Sequence, residues 1–320
     1  MAASTVNKTT SYKEFNNTIM KKVLVVGLTC LDILNICDHF PEEDEDMRVI
    51  SQQWLKGGNA ANTACVLAQH QGLEVHLLSC LSGKNEHLFI SEEIKNAGVN
   101  IDLCPIYERM FSTSTCIINK KTGSRTILHC PGEFPSLKVD DFCKVNAKSY
   151  DWIHFEGRDL QEYGTMIDYV TETRGSSAYP VISGEMEKVK KLPDLEKYIL
   201  PKVDVLFVSK DIALHKSMLT PNITVHKFSL NKSIKAQFII CPWGSVGAAA
   251  AERVDTTWKY HSCDAIKLDQ VVDTLGAGDT FIAGVIFCMI KQEGVLSAIQ
   301  YACWIAGKKC GQYGFKGLLT

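Results

Sequence analysis

What this chain has little of narrows its partners. Lys and Arg together number 34 against 36 for Asp and Glu, a formal charge of -2 at pH 7, so neither sign is in excess. No global basic field recruits nucleic acid or an anionic membrane surface, and a small-molecule partner becomes the default. Nor is there an apolar run near the ~20 residues that span a bilayer. The longest apolar-looking stretch, FIAGVIFCMI at 281–290, falls well short and reads as a buried helix. Residues 1–20 lack the apolar core of a secretory signal and the arginines of a transit peptide, and read as a frayed extension ahead of one domain over 21–320. Also missing is any CxxC pair, although the chain has 13 cysteines. Scattered cysteines without close pairs argue against zinc ribbons and disulfide frameworks, and for free buried thiols in the reducing cytosol.

Two phosphate-binding signatures are absent as well. The pattern GxxxxGK[ST] occurs nowhere, which excludes a P-loop. The dinucleotide fingerprint needs a third glycine at its helix start, where GAGDTF has Phe281, so a nicotinamide oxidoreductase has no motif behind it.

What is present alternates. KKVLVVGL (21–28), EVHLLSC (74–80), DWIHFEG (151–157), VDVLFVS (203–209) and QFIICPW (237–243) read as short strands. Helical stretches fall between several of them, at 59–72, where Gly72 is the expected C-cap, and at 86–98 and 159–173. Strands apolar on both faces and separated by helices predict an α/β core, a mostly parallel sheet covered on both sides. Two stretches interrupt the pattern, 32–55 with its acidic PEEDED run and 104–130, which reads as strand, turn at 121–123, strand. They predict one small sheet grown from two insertions.

VVDTLGAGDTFIAG (271–284) is the most informative stretch. A glycine turn leading into a helix presents unpaired N–H groups with the positive end of the helix dipole behind them, an anion seat. Asp279 repels any anion in that seat, unless it serves as a base at the seam between a phosphate and a hydroxyl acceptor, as phosphoryl transfer requires. Taken alone, the same residue also suits a helix N-cap.

DTLGAGDTF (273–281) resembles the C-terminal signature of the ribokinase-like, PfkB-type carbohydrate kinases, and KGGNAANTA (56–64) resembles their N-terminal signature. Together with LDIL, GSRTIL, WIHFEGR, VSKD and AGKKCGQYGF, these stretches are similar to the branch of that family whose fructokinases make fructose 1-phosphate, over about 21–317. The resemblance implies a Rossmann-like three-layer α/β/α core with a β-clasp lid, ATP with Mg2+ as donor, a monovalent cation (K+) near the anion hole, and a homodimer joined through the clasps. The two insertions fall where that lid belongs.

By motif, the resemblance makes Asp279 the base, gives Gly276, Ala277 and Gly278 the anion hole, and puts Thr274 and Arg125 on the nucleotide. A guanidinium delivers a planar fork of donors to phosphate. Asp32, Gly58, Asn59 and Asn62 match sugar-binding positions, and Asp44 matches a sugar contact that a swapped clasp delivers to the partner subunit. By residue type alone, Asn59 suits a helix cap and Asn62 a surface site. Glu156 lies at a strand end, where open α/β sheets place ligands, and can equally pair with Arg158. For the adenine pocket the resemblance points to Gly244, Gly247, Phe281, Cys303 and Cys310, of which the two cysteines suit a helix core by spacing. Where many relatives carry an Asn/Glu magnesium motif this chain reads VSKD, so no metal ligand is assigned. A kinase for the fructose 6-hydroxyl, ribose or a nucleoside, and a non-catalytic sugar or nucleotide sensor on the same fold, stand as alternatives.

Overall fold

The structure, a computed structural model, describes residues 20–122 and 124–319. The expected extension up to residue 19, and Gly123 in the expected turn, lie outside the described residues.

The strands are β1 (Lys21–Val26), β2 (Cys30–Cys37), β3 (Ser51–Gly57), β4 (Leu73–Leu78), β5 (Leu81–Ser82), β6 (Val99–Asn100), β7 (Ile106–Tyr107), β8 (Thr113–Asn119), β9 (Arg125–Cys130), β10 (Trp152–Phe155), β11 (Val181–Met186), β12 (Val205–Val208), β13 (Phe238–Pro242), β14 (Ala248–Val254) and β15 (Thr257–Cys263). The helices are α1 (Asn59–Leu67), α2 (Leu88–Asn96), α3 (Val139–Phe142), α4 (Leu160–Arg174), α5 (Leu192–Tyr198), α6 (Lys210–His215), α7 (Pro221–Ser229), α8 (Ala277–Ile290) and α9 (Val295–Cys310).

A nine-stranded sheet in the order β15-β14-β13-β12-β11-β10-β1-β4-β6 forms the centre. Its strands from β13 through β6 run parallel, and β14 and β15 add an antiparallel edge. The apolar runs are explained by what covers them. In β1, Val23 and Val25 enter one apolar layer with α1, α8 and α9, while Leu24 and Val26 enter the other with α4 and α7. A strand buried on both faces has no polar position to alternate with. Each such Leu or Val contributes roughly 1.5–3 kcal/mol on burial. A helical layer on each face of the sheet makes a three-layer α/β/α arrangement.

A second sheet, four-stranded in the order β3-β2-β8-β9, is built from the two insertions. Its β9 is exposed along nearly its whole length, with Ile127 and Leu128 among the exposed apolar residues. Two expectations need correction. Helix α1 ends at Leu67 and not at Gly72. The His70 ring faces the Val66 and Leu67 carbonyls (Nδ1 at 3.0 and 3.3 Å), ending the helix, and Gly72 (φ 82°) takes the turn into β4. All 13 cysteines are free, yet Cys130 and Cys143 are exposed rather than buried. Among the described residues no helix is long and apolar enough to cross a membrane.

Candidate active site

Helices α1 and α8 bring their first turns together at the carboxyl end of β1. Gly58, the N-cap of α1, has φ 99°, and any Cβ there would collide with the Leu28 carbonyl at that strand's end. Only glycine allows this approach. Gly276, the N-cap of α8, is left-handed (φ 74°). Beyond it the Ala277 amide donates to the Thr274 carbonyl at 3.3 Å, the next first-turn amides have no carbonyl four residues back, and the helix dipole adds positive potential. Asp273 braces the turn from below: its Oδ1 accepts from the Leu275 amide at 2.8 Å. The buried Lys309 ammonium bonds both the Asp273 carboxylate and its main-chain carbonyl.

Asp279 lies in the first turn of α8 and is buried. Its Oδ2 accepts from the Asn62 amide at 2.8 Å, and Asn62 Oδ1 in turn accepts from Lys56 at 2.7 Å. Burial first, then the charge of Glu185, pushes the Asp279 carboxyl well above the ordinary carboxylate range, with Asn62 opposing. Such a group holds a proton more tightly than an exposed aspartate does.

Two cavities meet at this point. The smaller, about 320 Å³, is lined by Asp32, Gly58, Asn59, Asn62, Gly276 and Asp279. The larger, about 830 Å³, is lined by Gly244, Gly247, Ala277, Phe281, Cys303 and Cys310. Arg125, Thr274 and Gly278 line both. Arg125 reaches over from β9 to donate to Thr274 Oγ1 at 2.7 Å, which ties the second sheet to the seam between the cavities. Asp32 stands on β2 against Gly57, where a Cβ would strike its carboxylate. Desolvation raises its pKa, while the Cys30 and Ser114 donors oppose that shift. Gly247 (φ 119°) lies where a side chain would strike the backbone at Cys263, which keeps that wall of the larger cavity flat. Cys303 Sγ lies 3.7 Å from Cys263 Sγ behind the same wall.

Two sequence candidates stand outside both cavities. Asp44 is exposed on the loop between β2 and β3, in the left-handed region (φ 64°), and lines neither cavity. Glu156 is buried, and its Oε2 accepts from the Leu28 amide at 2.7 Å and the Ala60 amide at 3.3 Å, while Oε1 accepts from Arg158 Nε at 2.9 Å. That carboxylate holds the end of β1 to the start of α1 and does not line the smaller cavity.

The geometry now has counterparts. The family model for pfkB family carbohydrate kinases matches residues 20–318. The chain belongs to the pfkB family of carbohydrate kinases. Ketohexokinase of Mus musculus is 35% identical over 93% of this chain and 99% of its own. A nucleoside kinase of Methanocaldococcus jannaschii is 24% identical over 91% of this chain and 92% of its own. Among solved structures, ribokinase of Giardia lamblia superposes with a TM-score of 0.77 at 14% identity, over 94% of this chain and 96% of that one. Arabidopsis thaliana ribokinase complexed with ribose and ATP gives a TM-score of 0.74 at 18% identity, over 93% and 94%. At such identities the structures show the ribokinase-like fold alone. Membership makes the chain an ATP-dependent carbohydrate kinase.

This pfkB-family chain also carries site groups that the sequence reading missed. Glu187 lines the smaller cavity just past β11, where Asn59 donates to its carboxylate at 3.1 Å and Lys188 at 2.8 Å. Glu185, two residues earlier, is buried against His154 Nε2 at 3.0 Å. Burial, then the charges of Glu187 and Glu156, raises its pKa well above the usual range. The signal available was GEMEK at the end of an apolar strand, since the carboxyl ends of parallel strands are where such sheets place ligands. Lys56 and Lys309 gave no such signal, because isolated lysines read as surface.

Proposed function

We propose that the chain transfers the γ-phosphoryl group of ATP to the 1-hydroxyl of D-fructose, giving fructose 1-phosphate, which is the ketohexokinase reaction. The observation that carries this is the placement of Asp279 at the junction of a small polar chamber and a larger cleft, with the Gly276–Gly278 turn beside it. Similarity to mouse ketohexokinase across nearly the whole chain supports the ketose over ribose or a nucleoside.

In this reading Asp32, Asn59 and Asn62 grip hydroxyls of the sugar, since carboxylates and amides match paired donors and acceptors. Asp279 takes the proton of the 1-hydroxyl as its oxygen forms the bond to the γ-phosphorus. The bond from that phosphorus to the β,γ-bridging oxygen breaks, and its electrons leave with ADP. Amides of Gly276, Ala277 and Gly278 neutralise charge on the migrating group, which requires donors already aimed at it. Arg125 and Thr274 hold the phosphates, while Gly244, Gly247, Phe281, Cys303 and Cys310 form the adenine wall. Glu156 acts by fixing α1 against β1.

Kinases of this family use ATP with Mg2+. Among the described residues no group of three or more His, Cys, Asp or Glu is placed to hold a metal. The protein would then supply one or two carboxylates to a Mg2+ site, the rest coming from ATP phosphates and water. Glu187, on the chamber wall, would hold the ion, whose chemistry is to offset phosphate charge. For a K+ ion beside the turn the residues do not fit, because the buried Lys309 ammonium already bonds both the carboxylate and the carbonyl of Asp273, and no step is routed through one.

The test is a panel of fructose, ribose and nucleosides with the phosphorylated position read by NMR. Phosphate on carbon 1 of fructose is expected. A preference for ribose or a nucleoside, or phosphate on carbon 6, overturns the assignment.

A further inference from the structure

Behind the anion-hole turn lies an aromatic ring that lines neither the sugar chamber nor the nucleotide cleft. It belongs to Phe315, in the segment after α9. The ring packs directly on Gly276, since a Cβ built there would run into Phe315 Cζ and Cε1. Two ammonium groups sit over the same ring, Lys56 Nζ at 4.7 Å and Lys309 Nζ at 5.4 Å from its centroid. Both lysines are buried, at 5% and 0% exposure.

Buried lysines need partners, and each of these leads to the reacting centre. Lys309 bonds Asp273, whose carboxylate accepts from the Leu275 amide inside the turn. Lys56 donates to Asn62 Oδ1, and the Asn62 amide donates to Asp279 Oδ2. The ring therefore reaches the turn twice, directly through Gly276 and through Lys309, and reaches the proposed base through Lys56. An aliphatic side chain can fill the same space, but only an aromatic face attracts desolvated cations through its quadrupole. The segment is itself pinned: Gln69, just past α1, donates to the Phe315 carbonyl at 2.8 Å and accepts from the Leu318 amide at 3.0 Å.

We propose that Phe315, with Lys56 and Lys309 on its ring, is a positioning clamp that holds the Gly276–Gly278 turn and the Asp279 carboxylate in mutual register. The segment around it, 311–318, is thereby part of the catalytic framework. This rests on the assignment of Asp279 and the turn made above. The clamp contributes to orientation rather than to substrate contact, so its loss belongs in kcat. Displacements of about 1 Å in such frameworks cost on the order of 100-fold.

Two variants test it, each with its melting temperature and kinetic constants measured beside Asp279→Asn. Phe315→Leu keeps an apolar side chain, somewhat smaller, and loses the ring face. It is expected to stay folded and to lose about 10- to 100-fold in kcat, with KM for ATP and sugar changed less than about threefold. Phe315→Tyr keeps the ring and adds a hydroxyl at Cζ, aimed at Gly276. Its hydroxyl crowds Gly276, so it is expected to fold with a lowered melting temperature and to lower kcat in the same way, and it decides the matter if the leucine variant fails to fold. A purely space-filling Phe315 predicts otherwise, with kcat per folded molecule within about twofold of the parent in either variant, and that result overturns the clamp. An active Asp279→Asn enzyme would instead overturn the site assignment on which the clamp depends, so the two failures are distinguishable.

Discussion

Asp279 must be ionised to accept a proton, and its surroundings resist ionisation. Burial and the nearby Glu185 hold its pKa well above the ordinary carboxylate value, which lies near ~4. As pH falls through that raised pKa the base becomes protonated and transfer stops, so the sign is loss of activity on the acid side. The profile of kcat/KM against pH, which reports the free enzyme, is expected to show an acidic limb centred above the range of exposed carboxylates. A limb at ~4 would mean that the titrating group is not this one. At this scale the sequence was informative where a motif bound several residue types together, as GAGD did. Glu185, Glu187, Lys56 and Lys309 escaped because their significance comes from burial and from partners remote along the chain. Lys309 on α9 meets Asp273 in the segment ahead of α8, and nothing local in AGKKC marks that lysine as interior.

Among elements, the first turns of α1 and α8 do the positioning, and both depend on a glycine in the left-handed region. Gly58 is the more demanding, because it meets the Leu28 carbonyl as well as carrying φ 99°. Gly58→Ala is expected to lose stability by about 1–3 kcal/mol or more, since such conformations cost that much in a residue with a side chain. The change would be read as a lower denaturant midpoint with an unchanged slope. A midpoint equal to the parent's would show that α1 can retreat from β1 without penalty. Strands and helices of the core were legible because their burial on two faces leaves continuous apolar runs, as KKVLVV does. The end of α1 was not, because Gly72 is a strong local stop signal, whereas the actual end is set by His70 turning back onto the last carbonyls. His70 is itself held from outside the helix by the Tyr301 hydroxyl at 2.9 Å.

For the whole molecule, the two insertions converge as one sheet whose outer strand, β9, delivers Arg125 to the seam while leaving Ile127 and Leu128 exposed. We propose that this sheet also joins two copies of the chain, which would bring Asp44 to the partner's sugar chamber. Light scattering is expected to give twice the chain mass, and Trp54→Arg, which changes an exposed clasp residue, to give a monomer. A monomeric parent at micromolar concentration would remove this assembly and the role of Asp44 with it. The central claim needs a more direct measurement, namely single-turnover phosphoryl transfer by Asp279→Asn under conditions where ATP binding is measured separately by calorimetry. General-base catalysis contributes about 100- to 10,000-fold, so the variant is predicted to bind ATP as the parent does and to transfer phosphate slower by at least the lower of those factors. Transfer within about tenfold of the parent, with ATP binding intact, would contradict the assignment of this carboxylate as the base.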